Sequence, residues 1–153
     1  MTESIKTTSF LKTAIKLGTQ GPVKVLPTLR LVQLRFNGLI ILKTTNAQYI
    51  WEHPYYPQFY LPKSELLSNS RHIPLQVHEG EALHSEDGTL IGNQWTIRVA
   101  DRSIDKVVAF SDGLTGAAEP LRGLVKIDFA SVDQWCVPLD SNIRKLQPSH
   151  SGI

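Results

Sequence analysis

Arg30–Pro62 reads RLVQLRFNGLIILKTTNAQYIWEHPYYPQFYLP, and its pattern decides the fold. Val32, Leu34 and Phe36 alternate with Gln33 and Arg35, the period of a half-buried strand. Asn37-Gly38 follows, the dipeptide best suited to the two positive φ angles of a type I′ turn. Leu39–Leu42 then returns as an apolar strand. A third strand is predicted over Gln48–His53, with Tyr49, Trp51 and His53 on one face and Gln48, Ile50 and Glu52 on the other. Pro54 and Pro57 bracket a bend, because proline fixes its own φ and restricts the residue before it. Gln58–Leu61 reads as a short fourth strand, and Lys63–Leu67 as one helical turn.

Beyond this stretch the same grammar continues. Two strands are predicted over Leu75–His84 and Leu90–Val99, joined through Asp87-Gly88, with Gly80 marking a bulge. Asp101–Ser103 turns the chain into a strand at Asp105–Phe110. A Gly-containing loop spans Ser111–Pro120, with a short helix expected at Ala117–Leu121. Strands at Leu124–Phe129 and Val132–Val137 close the pattern. Eight or nine short strands with few helical residues predict a mainly β fold. It is expected as one compact antiparallel β domain, curled or barrel-like to remove exposed edges. Before it, Thr7–Leu17 carries a loose apolar stripe that predicts a helix stopping at Gly18. The expected organisation is a helical appendage over 1–22, a β domain over 23–138 and a flexible polar tail over 139–153.

The totals narrow the function classes. The 153 residues carry a formal charge of +2, and the 16 Lys and Arg are scattered. Without a basic stripe, no nucleic-acid partner is expected. No apolar run approaches the ~20 residues of a bilayer span, so no membrane partner is expected and the cytoplasm is the expected location. Cys136 is the only cysteine, which rules out an intramolecular disulfide and predicts a buried structural thiol. His78 and His84 lie too far apart on an unbroken strand, about 20 Å, to share one ion, and no metal or cofactor is expected. Neither a GxSxG elbow, a P-loop nor a GxGxxG is present. Nucleotidyl chemistry would want such a phosphate cradle or a metal-binding carboxylate pair.

The stretch FNGLIILKTTNA, then Glu52, then Tyr56–Leu66 (YPQFYLPKSEL) resembles the DUF427 family of small β proteins. Val108–Ser111 is similar to that family's aromatic strand. Leu121–Phe129 through Trp135 is similar to its closing segment, so the resemblance covers roughly residues 30–137. It implies a compact β domain of the tent-like kind also found in methionine sulfoxide reductase B, and no settled activity. The family's Cys-Pro-Tyr-Lys-Gly run has no counterpart here, where HSEDGTLIGNQ precedes Trp95. Chemistry depending on that Cys or Lys is therefore not expected of this chain.

Within that frame Glu52 is the first candidate proton carrier, since apolar surroundings would lift a carboxyl toward a useful acid/base range. Its plain alternative is a solvated strand residue or a partner for Arg35. Tyr60 is a candidate hydrogen-bond donor to a ligand carbonyl, or simply a core tyrosine with its hydroxyl at the rim. His53 is a further candidate because histidine is the side chain suited to moving protons near neutral pH, though an ordinary surface or turn histidine is the plainer reading. Asp112, in a Gly-containing loop after a strand, completes the catalytic candidates. Trp51, Tyr56 and Trp95 are expected to wall a cleft, with Tyr55 near it and Arg35 or Arg98 pairing an anionic group of the ligand. The reading is a small-molecule enzyme of isomerase, cyclase or hydrolase type. Its competitor is a non-catalytic ligand-binding or protein-interaction module on the same scaffold. An exposed sheet edge leaves room for a homodimer.

Overall fold

The computed structural model describes residues 9–136. Helix α1 (Ser9–Gln20) precedes ten strands: β1 (Lys24–Pro27), β2 (Val32–Phe36), β3 (Leu39–Thr44), β4 (Gln48–Trp51), β5 (Gln58–Pro62), β6 (Gln76–His84), β7 (Leu90–Val99), β8 (Arg102–Phe110), β9 (Leu124–Ile127) and β10 (Gln134–Cys136). A second helix, α2 (Lys63–Asn69), follows β5, and 3-10 turns occupy Gly116–Leu121 and Phe129–Ser131. The strands form a seven-stranded sheet, ordered β1-β4-β5-β9-β8-β7-β6, and a three-stranded sheet, ordered β10-β2-β3. All pairings are antiparallel. Neither sheet closes into a barrel.

The β2–β3 hairpin forms as its alternation predicts. Val32, Leu34 and Phe36 are buried while Arg35 faces solvent, and Asn37 and Gly38 adopt φ of 51° and 80°. This apolar face packs on one side of the large sheet, where Phe59, Leu61, Trp95, Ile97, Val107, Ala109, Val125 and Ile127 share its core. The other side carries α1: Ala14 and Leu17 meet Ile50, Tyr60, Ile91, Val108, Phe110 and Leu124. Each fully buried aliphatic or aromatic side chain contributes about 1.5–3 kcal/mol, so both faces of the sheet are structurally committed.

Several boundaries differ from the sequence expectation. Gly18 does not stop α1; it is buried inside the helix, where a Cβ would sit 2.5 Å from an Ile91 methyl. Close packing sets the residue there, and the helix ends instead at Gly21, φ 81°, whose N–H bonds the Leu17 carbonyl at 2.8 Å. The extended segment ahead of the hairpin is an edge strand, β1, paired with β4. The turn before β8 falls one residue earlier, at Ala100 with φ 55°. The Gly80 irregularity is present as a register shift between Glu79 and Ala82. The proposed start of α1 at Thr7, the tail over 139–153 and the side chain of Cys136 lie outside the described residues.

Candidate functional site

Strand geometry assembles a three-residue constellation on the α1 face of the large sheet. In the β4–β5 pair, Gln48 sits opposite Tyr60 and Ile50 opposite Gln58, so these side chains share a face. The alternation continues one residue past β4 and delivers Glu52 to that face. On β9, Val125 enters the core shared with the small sheet, so its neighbour Lys126 points the other way, beside Val108. The Tyr60 hydroxyl donates to Glu52 Oε2 at 2.6 Å, and the Lys126 ammonium donates to the same oxygen. Glu52 Oε1 takes no hydrogen bond from the described residues.

Rings enclose this cluster. Phe10, in the first turn of α1, lies 4.7 Å from Lys126 Nζ, and the Tyr60 ring lies at 5.5 Å. An ammonium over aromatic faces gains quadrupolar attraction, more so when desolvated. Tyr60 stacks on Phe110, with centroids 5.8 Å apart. The Lys126 and Glu52 side chains retain only 9% and 13% of their exposure. Burial, the Glu52 charge and the hydrogen bond to it together push the Tyr60 phenol well above its ordinary ionisation range. Tyr60 is therefore a neutral donor across the physiological range, fixed on its carboxylate.

Glu52 and Tyr60 are thus brought together, and the other residues singled out from sequence are dispersed. Trp51 faces away from Glu52, packing 6.0 Å from Tyr49 with Lys24 Nζ 4.9 Å above its ring. His53 stands between Tyr55 and Tyr56, at 5.3 and 4.5 Å, and its Nδ1 accepts the Tyr55 N–H. Trp95 is buried in the core shared with the small sheet. Arg35 is exposed on β2 opposite Gln134. Arg98 is exposed 3.4 Å from Ser103 Oγ. Asp112 meets Lys63 at 3.4 Å. None of the three recesses described below is lined by Trp51 or Tyr56, and Trp51 is turned from Glu52 because adjacent strand residues take opposite faces.

Sequence reasoning missed Lys126 and Phe10. The signal for Lys126 was a lysine inside LVKI, where a buried strand demands a partner for any charge. Among the recesses on the described residues, three are prominent. One of about 740 Å³ separates α1 from the β6–β7 turn, one of about 450 Å³ lies beside Arg98 and Pro74, and one of about 290 Å³ lies at Lys63, Trp95 and Asp112. Glu52 lines none of them. Among the described residues, no group of three or more His, Cys, Asp or Glu is placed to hold a metal ion, and no helix is long and apolar enough to cross a membrane.

Residues 24–138 match the family model described as Domain of unknown function (DUF427), and the chain belongs to that family. No curated protein matches it. Glu52, Tyr60 and Lys126 fall inside the matched segment, whereas α1 and its Phe10 precede it.

Proposed function

We propose that this DUF427 domain acts on a small carbonyl-bearing molecule by acid/base chemistry of its own side chains. The supporting observation is the Glu52–Lys126 ion pair, buried and tied to Tyr60. Apolar residues of similar volume would often stabilise such a site as well or better. Keeping a carboxylate–ammonium pair in the fold core, where apolar packing would serve stability, favours a chemical role for it.

The roles follow from the geometry. Glu52 Oε1, which takes no hydrogen bond from the described residues, is the oxygen that takes a proton from carbon next to a carbonyl. Lys126, freed from Oε2 by an incoming oxygen, carries the charge that develops on that carbonyl. Tyr60 is a positioning residue, holding Glu52 through Oε2. Returning the proton to a different carbon isomerises the substrate; attack by the carbanion on an internal carbonyl carbon opens that C=O π bond, and its oxygen takes the proton back from Glu52, which cyclises the substrate without a leaving group. Access requires Phe10 to move from over Lys126, which makes α1 the cover of the site.

The test is hydrogen–deuterium exchange, followed by proton NMR, on cyclohexanone, ethyl acetoacetate and an acetyl thioester in heavy water. Wild type is expected to accelerate exchange on at least one probe. Glu52→Gln is expected to lose about 100-fold or more, the usual range for a missing general base. Equal exchange by Glu52→Gln, or none by wild type on any probe, overturns the proposal.

A second reading, a non-catalytic interaction module, is favoured by one observation. Tyr55 and Tyr56 are 82% and 58% exposed beside His53, while the recesses avoid Glu52. Under that reading Tyr55→Ser with Tyr56→Ser abolishes partner capture, and Glu52→Gln leaves it intact.

A further inference from the structure

We infer that the recess of about 290 Å³ at Lys63, Trp95 and Asp112 is a binding site for a free α-amino acid with an apolar side chain. Trp95 and Ala109, in its lining, belong to the core shared with the small sheet, whereas Tyr60 and Val108 belong to the core under α1. Phe110, also in the lining, packs under α1 and stacks on Tyr60, but Glu52 does not line the recess, so this is a second site whose argument does not use the function proposed there.

Charges of both signs converge on the recess. Lys63 Nζ lies 3.3 Å from the Phe110 carbonyl and 3.4 Å from Asp112 Oδ1, both long contacts. An ammonium has three donors, so at least one remains for a ligand carboxylate. Its side chain is only 22% exposed, which strengthens its attraction for an anion relative to a free surface lysine. Asp112 and Glu79 supply carboxylates to the same recess, Asn93 an amide and Ser111 a hydroxyl. Leu67 and Leu90 line the recess as well, offering apolar surface to a side chain.

This set selects against other ligand classes. Two carboxylates beside a single lysine repel a polyanion, which disfavours phosphates and nucleotides. The volume sits at the lower limit of the ~300–1,000 Å³ range typical of small-molecule pockets. It suits a metabolite smaller than a dinucleotide or flavin. A zwitterion places its carboxylate on Lys63 and its ammonium on Asp112 and Glu79, and so satisfies both signs at once.

The experiment is a titration of the full chain, followed by nitrogen–proton correlation spectra, with L-leucine, isocaproate and isoamylamine as probes. Leucine is expected to shift the amides of Lys63, Ser111 and Asp112 and the Trp95 indole in one saturable process. Isocaproate lacks the amine and isoamylamine the carboxylate, and each is expected to bind about tenfold or more weakly. Lys63→Met should erase the advantage of leucine over isoamylamine, and Asp112→Asn together with Glu79→Gln the advantage over isocaproate, with unchanged unfolding temperatures. Single-charge probes binding as tightly as leucine, shifts centred elsewhere, or no saturable shift with any probe overturn the inference.

Discussion

Lys126→Met is the perturbation that most directly interrogates the buried cluster. It keeps the length of the side chain and removes its charge, leaving the Glu52 carboxylate with Tyr60 as its hydrogen-bond donor. Breaking a buried ion pair by deleting one partner costs about 3–5 kcal/mol. Glu52 keeps that donor and 13% of its side-chain exposure, so the lower end, about 3 kcal/mol, is expected. Glu52→Gln strands the ammonium instead, but an amide oxygen can still accept from it and the Phe10 and Tyr60 rings remain, giving about 2 kcal/mol. The double variant removes both charges together and should lose no more than the worse single one, a coupling of about 2 kcal/mol. Urea unfolding of all four proteins measures this cycle. Thermal midpoints offer a second reading, at about 2–4 °C per kcal/mol for a chain of this size. Additive losses, with coupling below about 0.5 kcal/mol, would refute the claim that Glu52 and Lys126 form a desolvated pair.

Three further outcomes follow from other contacts. The raised Tyr60 ionisation means that the unfolded chain releases this proton first, so the native state holds more protons above pH ~10. Its stabilising effect is complete below that value and is lost as pH rises through the folded-state value. Alkaline unfolding curves should therefore fall less steeply for Tyr60→Phe than for wild type. Asp133 is held below its usual carboxylate range, first by hydrogen bonds from Arg102 and then by the Asn37 N–H. Its contribution is present above the ordinary carboxylate value and lost as pH falls through the lowered one. Asp133→Asn should speed amide exchange over residues 134–136 and remove that acid dependence. Gly92→Ala would place a Cβ 2.3 Å from the Ala109 carbonyl, and prying β7 from β8 should cost at least the 1–3 kcal/mol typical of overpacking. An unchanged denaturation midpoint would show that the two strands yield freely.

Local patterns carried the architecture into view, and long-range contacts hid the rest. The Asn37-Gly38 turn and the alternation of β2 need only neighbours a few residues apart, so they are legible in the chain. Glu52 and Tyr60 meet across a short connection, eight residues apart, and period-two geometry on β4 and β5 brings them to one face. Lys126 is 74 residues from Glu52, and no nearby residue reveals which strand lies beside which. Gly18 shows the opposite failure. Its low helix propensity reads as a stop, but intimate contact with Ile91 outweighs that preference of about 1 kcal/mol. Trp51 neighbours Glu52 in sequence and is sent to the other face by the strand itself, as the alternation of β4 implies.

The pairing of β10 with β2 has a consequence for biosynthesis. Asn37 and Asp133, which clasp the two strands, are separated by 96 residues. At usual elongation rates of about 5–20 residues per second, that interval lasts roughly 5–20 s. During it the β2–β3 hairpin has left the ribosome with one strand edge unpaired, a template for adventitious β addition. Arg35 and Lys43, exposed on this ribbon, are the kind of charges that keep such an edge soluble while it waits. Neutralising both should depress the soluble yield of newly made chains far more than the stability of those already folded.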